Sequence, residues 1–455
     1  MRRVSFSLLI GLLAMSMILL AGCDSSGGNG DADNGTDPDN GSSSSTVTEL
    51  TVDNDNLTTL ESAVKAANLD DDLNADDQTF TVFAPVDGAF SSIEVGDLTG
   101  NSSLLEKVLT YHVVAGQEIT SGDISDGQSQ TVETLQGADL TVSKNGGTVT
   151  VNGATVTTAD VQASNGVVHL IDGVLLDQAN TAERASITPT LNTLTTALDA
   201  TGQDQALNNP DETFTVFAPS DAAFTPYDVN FLTNNTDLLS NVLGYHVVSG
   251  SAVTSDQLSN NQTFTTLQGD EITVNIDGGN VFVEGAQVTT PDVETNNGVV
   301  HIVDDALLTN RTPLERLQVN EATQTLRDQL ENQGLASTFN SSTWTTFAPS
   351  NQAFQNADLG NLSDQEIQEI LQYHTLDGAT DSEALIQTLD NNGGQVQLTT
   401  NQGEDVTIKE QSDGSIVFNP SSQNSATLNL DRVDQRAGNG SIIHQIDGVL
   451  VPPSF

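Results

Sequence analysis

All six histidines of this 455-residue chain fall inside recurring phrases. His112, His246 and His374 each follow a tyrosine (Tyr111, Tyr245, Tyr373), and His169, His301 and His444 lie in apolar runs near the end of each repeat. Two imidazoles per unit could bind a metal or exchange protons as acid and base. A metal would need carboxylates such as Asp172 and Asp304 as further ligands, but three-residue spacing on a strand turns His169 and Asp172 to opposite faces. The chain has no His-x-x-x-His pair, no Gly-x-Ser-x-Gly elbow and no Gly-rich phosphate loop ending in Lys. The stretches "NADDQ", "NNPDE" and "DNDN" offer oxygens, yet none follows the twelve-residue calcium loop with its central Gly and final Glu. No catalytic residue, metal site or cofactor is therefore expected, and weak or structural calcium stays open without a placed site. His169, His301 and His444 read as structural, and each Tyr-His pair reads as a packing unit whose polar tips need partners.

The one cysteine, Cys23, is reactive by type, and its surroundings give it a different use. Arg2 and Arg3 precede an apolar run from Leu8 to Ala21, which "LLAGC" closes. That run is short for a membrane span and fits an export signal. Its end resembles the bacterial lipoprotein box, which implies cleavage before Cys23 and lipidation there. Residues 1–22 are then the signal peptide, and residues 23–46, rich in Gly, Ser, Asn and Asp, form a flexible acidic tether. The expected location is the cell envelope, exported and lipid-anchored, with inner and outer membrane both open. Twelve Lys plus Arg against 62 Asp plus Glu give a formal charge of −50. That field disfavours nucleic acid as a partner and suits a saline habitat, where self-repulsion is screened.

The elements that must position the histidines come in three copies. "TFTVFAPVDGAF" (79–90) returns as "TFTVFAPSDAAF" (213–224) and "TWTTFAPSNQAF" (343–354). "LLEKVLTYHVVAG", "LLSNVLGYHVVSG" and "EIQEILQYHTLDG" follow, and "NGVVHLIDGVLL", "NGVVHIVDDALL" and "NGSIIHQIDGVLV" close the units. Repeats of this length are tandem globular domains, here 47–180, 181–311 and 312–455. Within a unit, Asp55–Leu69 has helical spacing, "TFTVFAP" alternates as a half-buried strand that its proline ends, and Leu104–Leu109 reads as a helix running into Tyr-His. Phe80 and Phe83 have opposite parity, so alternation alone does not say which faces inward. The second half, with Asn145-Gly146, Asn152-Gly153 and Asn165-Gly166 between β-branched runs, reads as hairpins. The corresponding stretch of the third unit, Gly393–Pro420, is longer and more polar, so its loops are expected to protrude.

The order "TFTVFAP", "YHVV", "NGVVHLIDGVLL" resembles the fasciclin-like domain family over about Val47 to Pro452. The resemblance implies an α+β fold, three tandem domains each a β-wedge or sandwich with packed helices. It also implies adhesion-related, noncatalytic proteins, and links the Tyr-His region (Tyr111-His112, Tyr245-His246, Tyr373-His374) to partner binding. The third copy departs from this pattern at Trp344, "YHTL" and "HQIDGVLV". The leading expectation is a membrane-anchored surface protein for cell adhesion or matrix and biofilm contact, with a cell-surface or matrix protein or polysaccharide as partner. The alternative is a periplasmic structural or accessory protein with one specific protein or polysaccharide partner.

Overall fold

The computed structural model describes residues 45–455 apart from 53, 76, 77, 358, 421 and 423. Cys23, the signal peptide and most of the tether lie outside the described residues. In the first domain the strands are β1 (Phe80–Pro85), β2 (Val113–Ala115), β3 (Gln128–Glu133), β4 (Asp139–Asn145), β5 (Thr148–Val151), β6 (Ala154–Ala163) and β7 (Gly166–Ile171). They form one sheet in the order β2-β1-β7-β6-β5-β4-β3. β1 and β7, the first and last strands, pair in parallel at its heart. Two register shifts in the pairing of β6 with β7 bend the sheet between its halves. The turn after β3 then meets the opposite edge, where Leu135 N–H donates to the Val113 carbonyl at 2.6 Å. The second domain repeats the order from Phe214–Pro219 to Gly298–Val303.

This wedge gives β1 two cores, which settles the parity of its phenylalanines. Phe80, Val82 and Ala84 face the helices Thr58–Ala67 and Ser102–Tyr111, packing with Leu60, Val64, Leu105 and Val108. Phe83 points the other way, between the sheet halves, with Tyr111, Ile119, Val142, Val151 and Ile171. Both rings are fully buried, each contributing about 2 to 3 kcal/mol of hydrophobic stabilisation. Between them Thr81, also buried, donates to Gln117 O and accepts from Ile119 N, at 2.8 and 2.9 Å. Thr215 and Thr345 make the same two bonds.

Two further residues of the repeated phrases have long-range tasks. Asp87 reaches back to accept from Thr59 N and the Thr58 hydroxyl, both at 2.8 Å, and so caps a helix whose own N-cap, Leu57, offers no acceptor. Asp221 and Asn351 do the same for Thr193 N and Thr325 N, a contribution of about 1 kcal/mol each. At Gly166 a Cβ would stand 1.9 Å from the Phe80 carbonyl oxygen, and at Gly298 2.2 Å from that of Phe214. The glycine lets the two parallel strands start side by side.

Each domain opens with a short helix, Val47–Val52, Thr181–Ser186 and Pro313–Val319. All three carry a capping box, Thr46 with Glu49, Asn180 with Glu183 and Thr312 with Glu315. The later two also serve the preceding domain. Ile187 is buried in the helix-side core of the first domain and Val319 in that of the second. Their carbonyls accept from Glu94 N and Asp228 N, each at 2.8 Å. Lys107 pairs with Glu183 across the first join at 2.7 Å, and Tyr227, whose hydroxyl donates to Asp305, neighbours the buried Arg316 across the second join.

The third domain keeps the central parallel pair, Trp344–Pro349 beside Ile442–Ile446, but its strands divide into two four-stranded sheets. A helix absent from the other copies, Ser382–Asn391, packs Leu385 and Leu389 into its core. Among the described residues no helix is long and apolar enough to cross a membrane.

Candidate functional site

The Tyr-His pair ends a helix in every domain, and its two side chains pull in different directions. His112 follows the helix Ser102–Tyr111, and its Nδ1–H donates to the Val108 carbonyl one turn back at 2.7 Å. Its Nε2 accepts from Leu175 N at 2.9 Å, just past β7. A ring that accepts at Nε2 from an amide must carry its proton on Nδ1, so the tautomer is set by the main chain. His246 repeats this with Val242 O and Leu307 N, both at 2.8 Å, and His374 with Ile370 O and Leu450 N at 2.8 and 2.9 Å. All three rings are buried, and burial pushes each pKa down to about 4. They are neutral at physiological pH, with both nitrogens used.

The tyrosines reach the other half of the wedge. Tyr111 Oη donates to Asp139 O at 2.9 Å and accepts from Asn152 Nδ2 at 2.7 Å. Tyr245 Oη donates to Glu271 O at 3.1 Å and Tyr373 Oη to Asp405 O at 2.9 Å. Desolvation raises the pKa of all three, Tyr245 to about 12. The pair thus ties the end of one helix both to the β3–β4 side of the wedge and to the segment after the last strand.

His169, His301 and His444 have the opposite tautomer. Nε2–H of His169 donates to Ile119 O at 2.8 Å, and Nδ1 accepts from Asp160 N at 3.2 Å. His301 uses Val253 O and Asp292 N, and His444 uses Thr380 O and Asp434 N, at 2.8 and 3.3 Å in both cases. Each ring stacks on the central phenylalanine of its domain, His169 on Phe83 and His301 on Phe217, both with centroids 5.5 Å apart, and His444 on Phe347 at 5.9 Å. Asp160, Asp292 and Asp434 are left-handed, with φ of 59°, 58° and 57°. That conformation aims the amide at the imidazole while the carboxylate accepts from a serine, Asp160 from Ser121 N at 2.7 Å and from its hydroxyl.

Serine, aspartate and histidine therefore meet three times, in the wrong order for acyl transfer. A nucleophilic serine needs its hydroxyl on an imidazole nitrogen that the carboxylate orients from the far side. Here the carboxylate holds the serine, and both imidazole nitrogens are occupied by the backbone. Among the described residues no group of three or more His, Cys, Asp and Glu is placed to hold a metal ion. Asp76 and Asp77 of "NADDQ" lie outside the described residues, and calcium stays without a placed site.

With Tyr111 and His112 buried, the surface at this place is formed by what lies beside them. The turn after β3 packs against that helix end, Gln136 N donating to Thr110 O at 3.2 Å. Its Leu135 is 43% exposed, and Leu267, at the same turn of the second domain, is 46% exposed. In the third domain the residue is Asn401, which donates to the Thr375 hydroxyl. The two leucines belong to "TLQG" in both units, a fourth shared phrase that reading the alternating strands passes over.

The fasciclin domain family model matches residues 55–177, 189–309 and 321–452. Transforming growth factor-beta-induced protein ig-h3 of Sus scrofa is 27% identical over 416 residues, covering 88% of this chain and 56% of that protein, so the chain spans little more than half the relative's length. Protein sll1483 of Synechocystis is 41% identical over 139 residues, 30% of this chain and 74% of that protein. Immunogenic protein MPB70 of Mycobacterium bovis is 39% identical over 147 residues, 30% of this chain and 72% of that protein.

Proposed function

Because the chain belongs to the fasciclin domain family, with three copies of the domain in tandem, we propose that it is a noncatalytic, lipid-anchored surface protein that mediates cell adhesion or contact with matrix or biofilm material. The observation that carries the reading is the repetition of one exposed feature, Leu135 and Leu267 on equivalent turns beside equivalent buried Tyr-His pairs. Two like sites on one chain raise the effective concentration of the second once the first is engaged, so individually weak contacts become adhesive. Saturated histidines speak for structure over chemistry in the same elements. The anchor would be Cys23, with the acidic tether holding the domains off the bilayer.

The test is attachment of purified residues 45–455 to intact cells and to extracted envelope polymer, comparing the unaltered chain with Leu135→Asp, Leu267→Asp and the double variant. Each single change should weaken attachment and the double change should do so more than additively on a logarithmic scale of affinity. Attachment should persist in high salt, because a chain of −50 gains from screened repulsion against a negative surface. Attachment indifferent to both leucines, with one discrete periplasmic protein co-purifying, would move the reading to a periplasmic accessory role.

A further inference from the structure

Each domain ends a sheet on the strand before its "TLQG" or "TNQG" turn, and the three copies treat that edge differently. The strands are β3, Gln262–Thr265 and Gln395–Thr399, each with a neighbour on one side only. Thr400 N donates to Glu404 O at 3.0 Å and Glu410 N to Gly394 O at 2.9 Å, so the even-numbered residues of the third edge bond the strand Asp405–Glu410. The N–H and C=O of Gln395, Gln397 and Thr399 therefore face outward, where no described segment pairs with them. The same parity turns Ser129, Thr131 and Glu133 outward in the first domain, and Thr263 and Thr265 in the second. An open edge invites a further strand, and charges or bulges discourage one. The first edge carries Glu133. The second is cut short by a bulge at Asn261, left-handed with φ of 62°, which shares Val274 with Gln262. The third has neither device, and no charged side chain occurs from Asn391 to Gly403.

Symmetry and charge select the occupant. Antiparallel self-pairing about Gln397 sets Gln397 opposite its own copy and Gln395 opposite Thr399, so every outward group of one strand meets an outward group of the other. On the core side it brings Val396 beside the copy's Leu398, two side chains that this edge leaves half-buried. An uncharged edge is also where a chain of formal charge −50 repels a second copy least. We propose that two copies of this chain associate through Gln395–Thr399, joining their third-domain sheets across a two-fold axis at Gln397. The contact lies apart from Leu135 and Leu267 and does not depend on the adhesion reading.

The test is sedimentation equilibrium of the full chain carrying Cys23→Ser, which keeps a lipid out of the measurement. A reversible equilibrium between monomer and dimer should tighten from about 0.1 M to about 1 M salt as repulsion between copies is screened. Gln397→Pro removes an N–H that the fold does not use, so it should abolish the dimer and leave the unfolding midpoint read at Trp344 unchanged. Gln397→Lys and Gln397→Glu each set like charges against each other across the axis. Each should be monomeric alone, and a mixture of the two should dimerise again. Should Gln397→Pro lower the unfolding midpoint, the charged pair decides alone. A monomer at high salt, a dimer that survives Gln397→Pro with the fold intact, or a mixture of the charged variants that stays monomeric overturns the proposal. An extended segment of another protein seated on this edge, with no self-association of the chain, overturns it equally.

Discussion

Acid should unfold the third domain through His374, and the size of the effect follows from its two hydrogen bonds. The folded ring is neutral, donating from Nδ1 to Ile370 O and accepting at Nε2 from Leu450 N. Burial strips the charged ring of water and so pushes the folded pKa down to about 4 against an ordinary 6.5, and a proton on Nε2 would also face that amide. Between those values the unfolded chain holds a proton that the folded one refuses. Stability is therefore complete above pH 6.5, falls as pH drops, and stops falling from this source below about pH 4. A shift of this size corresponds to about 3 kcal/mol at 1.36 kcal/mol per pH unit. The chain's only tryptophan, Trp344, opens the central strand of the same domain and lies 6.1 Å from Phe339, so its fluorescence reports that domain. Urea unfolding followed at Trp344 from pH 7.5 to 4 should show His374→Gln less stable than the unaltered protein at neutral pH, the gap closing by about 3 kcal/mol at the acid end. His444 titrates in both proteins and cancels in the comparison. Parallel stability profiles across that range would refute the assignment of a buried neutral ring.

Four other outcomes are expected. His301→Ala removes the stack on Phe217 and strands both Val253 O and Asp292 N, and calorimetry should show a loss of about 1 to 3 kcal/mol without loss of a bound metal. Gly298→Ala, pressing a Cβ on the Phe214 carbonyl at 2.2 Å, should cost about 3 kcal/mol or more or prevent folding, read as soluble yield and unfolding midpoint. Cys23→Ser should release the protein from the membrane fraction and block acyl labelling, and an unchanged membrane fraction would count against the anchor. The unfolding midpoint should rise from low to molar salt as the −50 charge is screened, and a flat profile would count against a saline adaptation.

What the sequence shows of this fold is what repeats locally. Alternation in "TFTVFAP" marks β1, and hairpin dipeptides such as Asn145-Gly146 and Asn152-Gly153 mark turns that the strands confirm. Phe80 and Phe83 cannot be assigned from parity because the rule presumes one wet face, and β1 has a core on each. The capping by Asp87 reads from the sequence as a turn because its helix begins 29 residues earlier. The tautomers of His112 and His169 depend on Leu175 N and Ile119 O, 63 and 50 residues away, which no local period encodes. Spacing separates His169 from Asp172, which accepts from Thr155 N at 2.6 Å. It does not show that Asp160, through a left-handed backbone, supplies the histidine's donor instead. The added helix Ser382–Asn391 ends just before the longer polar stretch Gly393–Pro420, its Asp381 cap and buried Leu385 and Leu389 unlike anything in the first two copies.

The parallel pairing of the first and last strands has a mechanical consequence for a chain held at one end. Load enters β1 at Phe80 and leaves β7 at Ile171, and because the strands run the same way these points lie at opposite ends of the pair. Pulling then slides the strands along each other, so the bonds across all six registered pairs, from Phe80 beside Gly166 to Pro85 beside Ile171, share the load together. An antiparallel edge hairpin pulled at its open end would instead unzip, its bonds breaking in succession. The helices ahead of β1 should peel off first, and the shear-loaded pair should set the slow step, so that survival under sustained tension is governed by its unfolding rate.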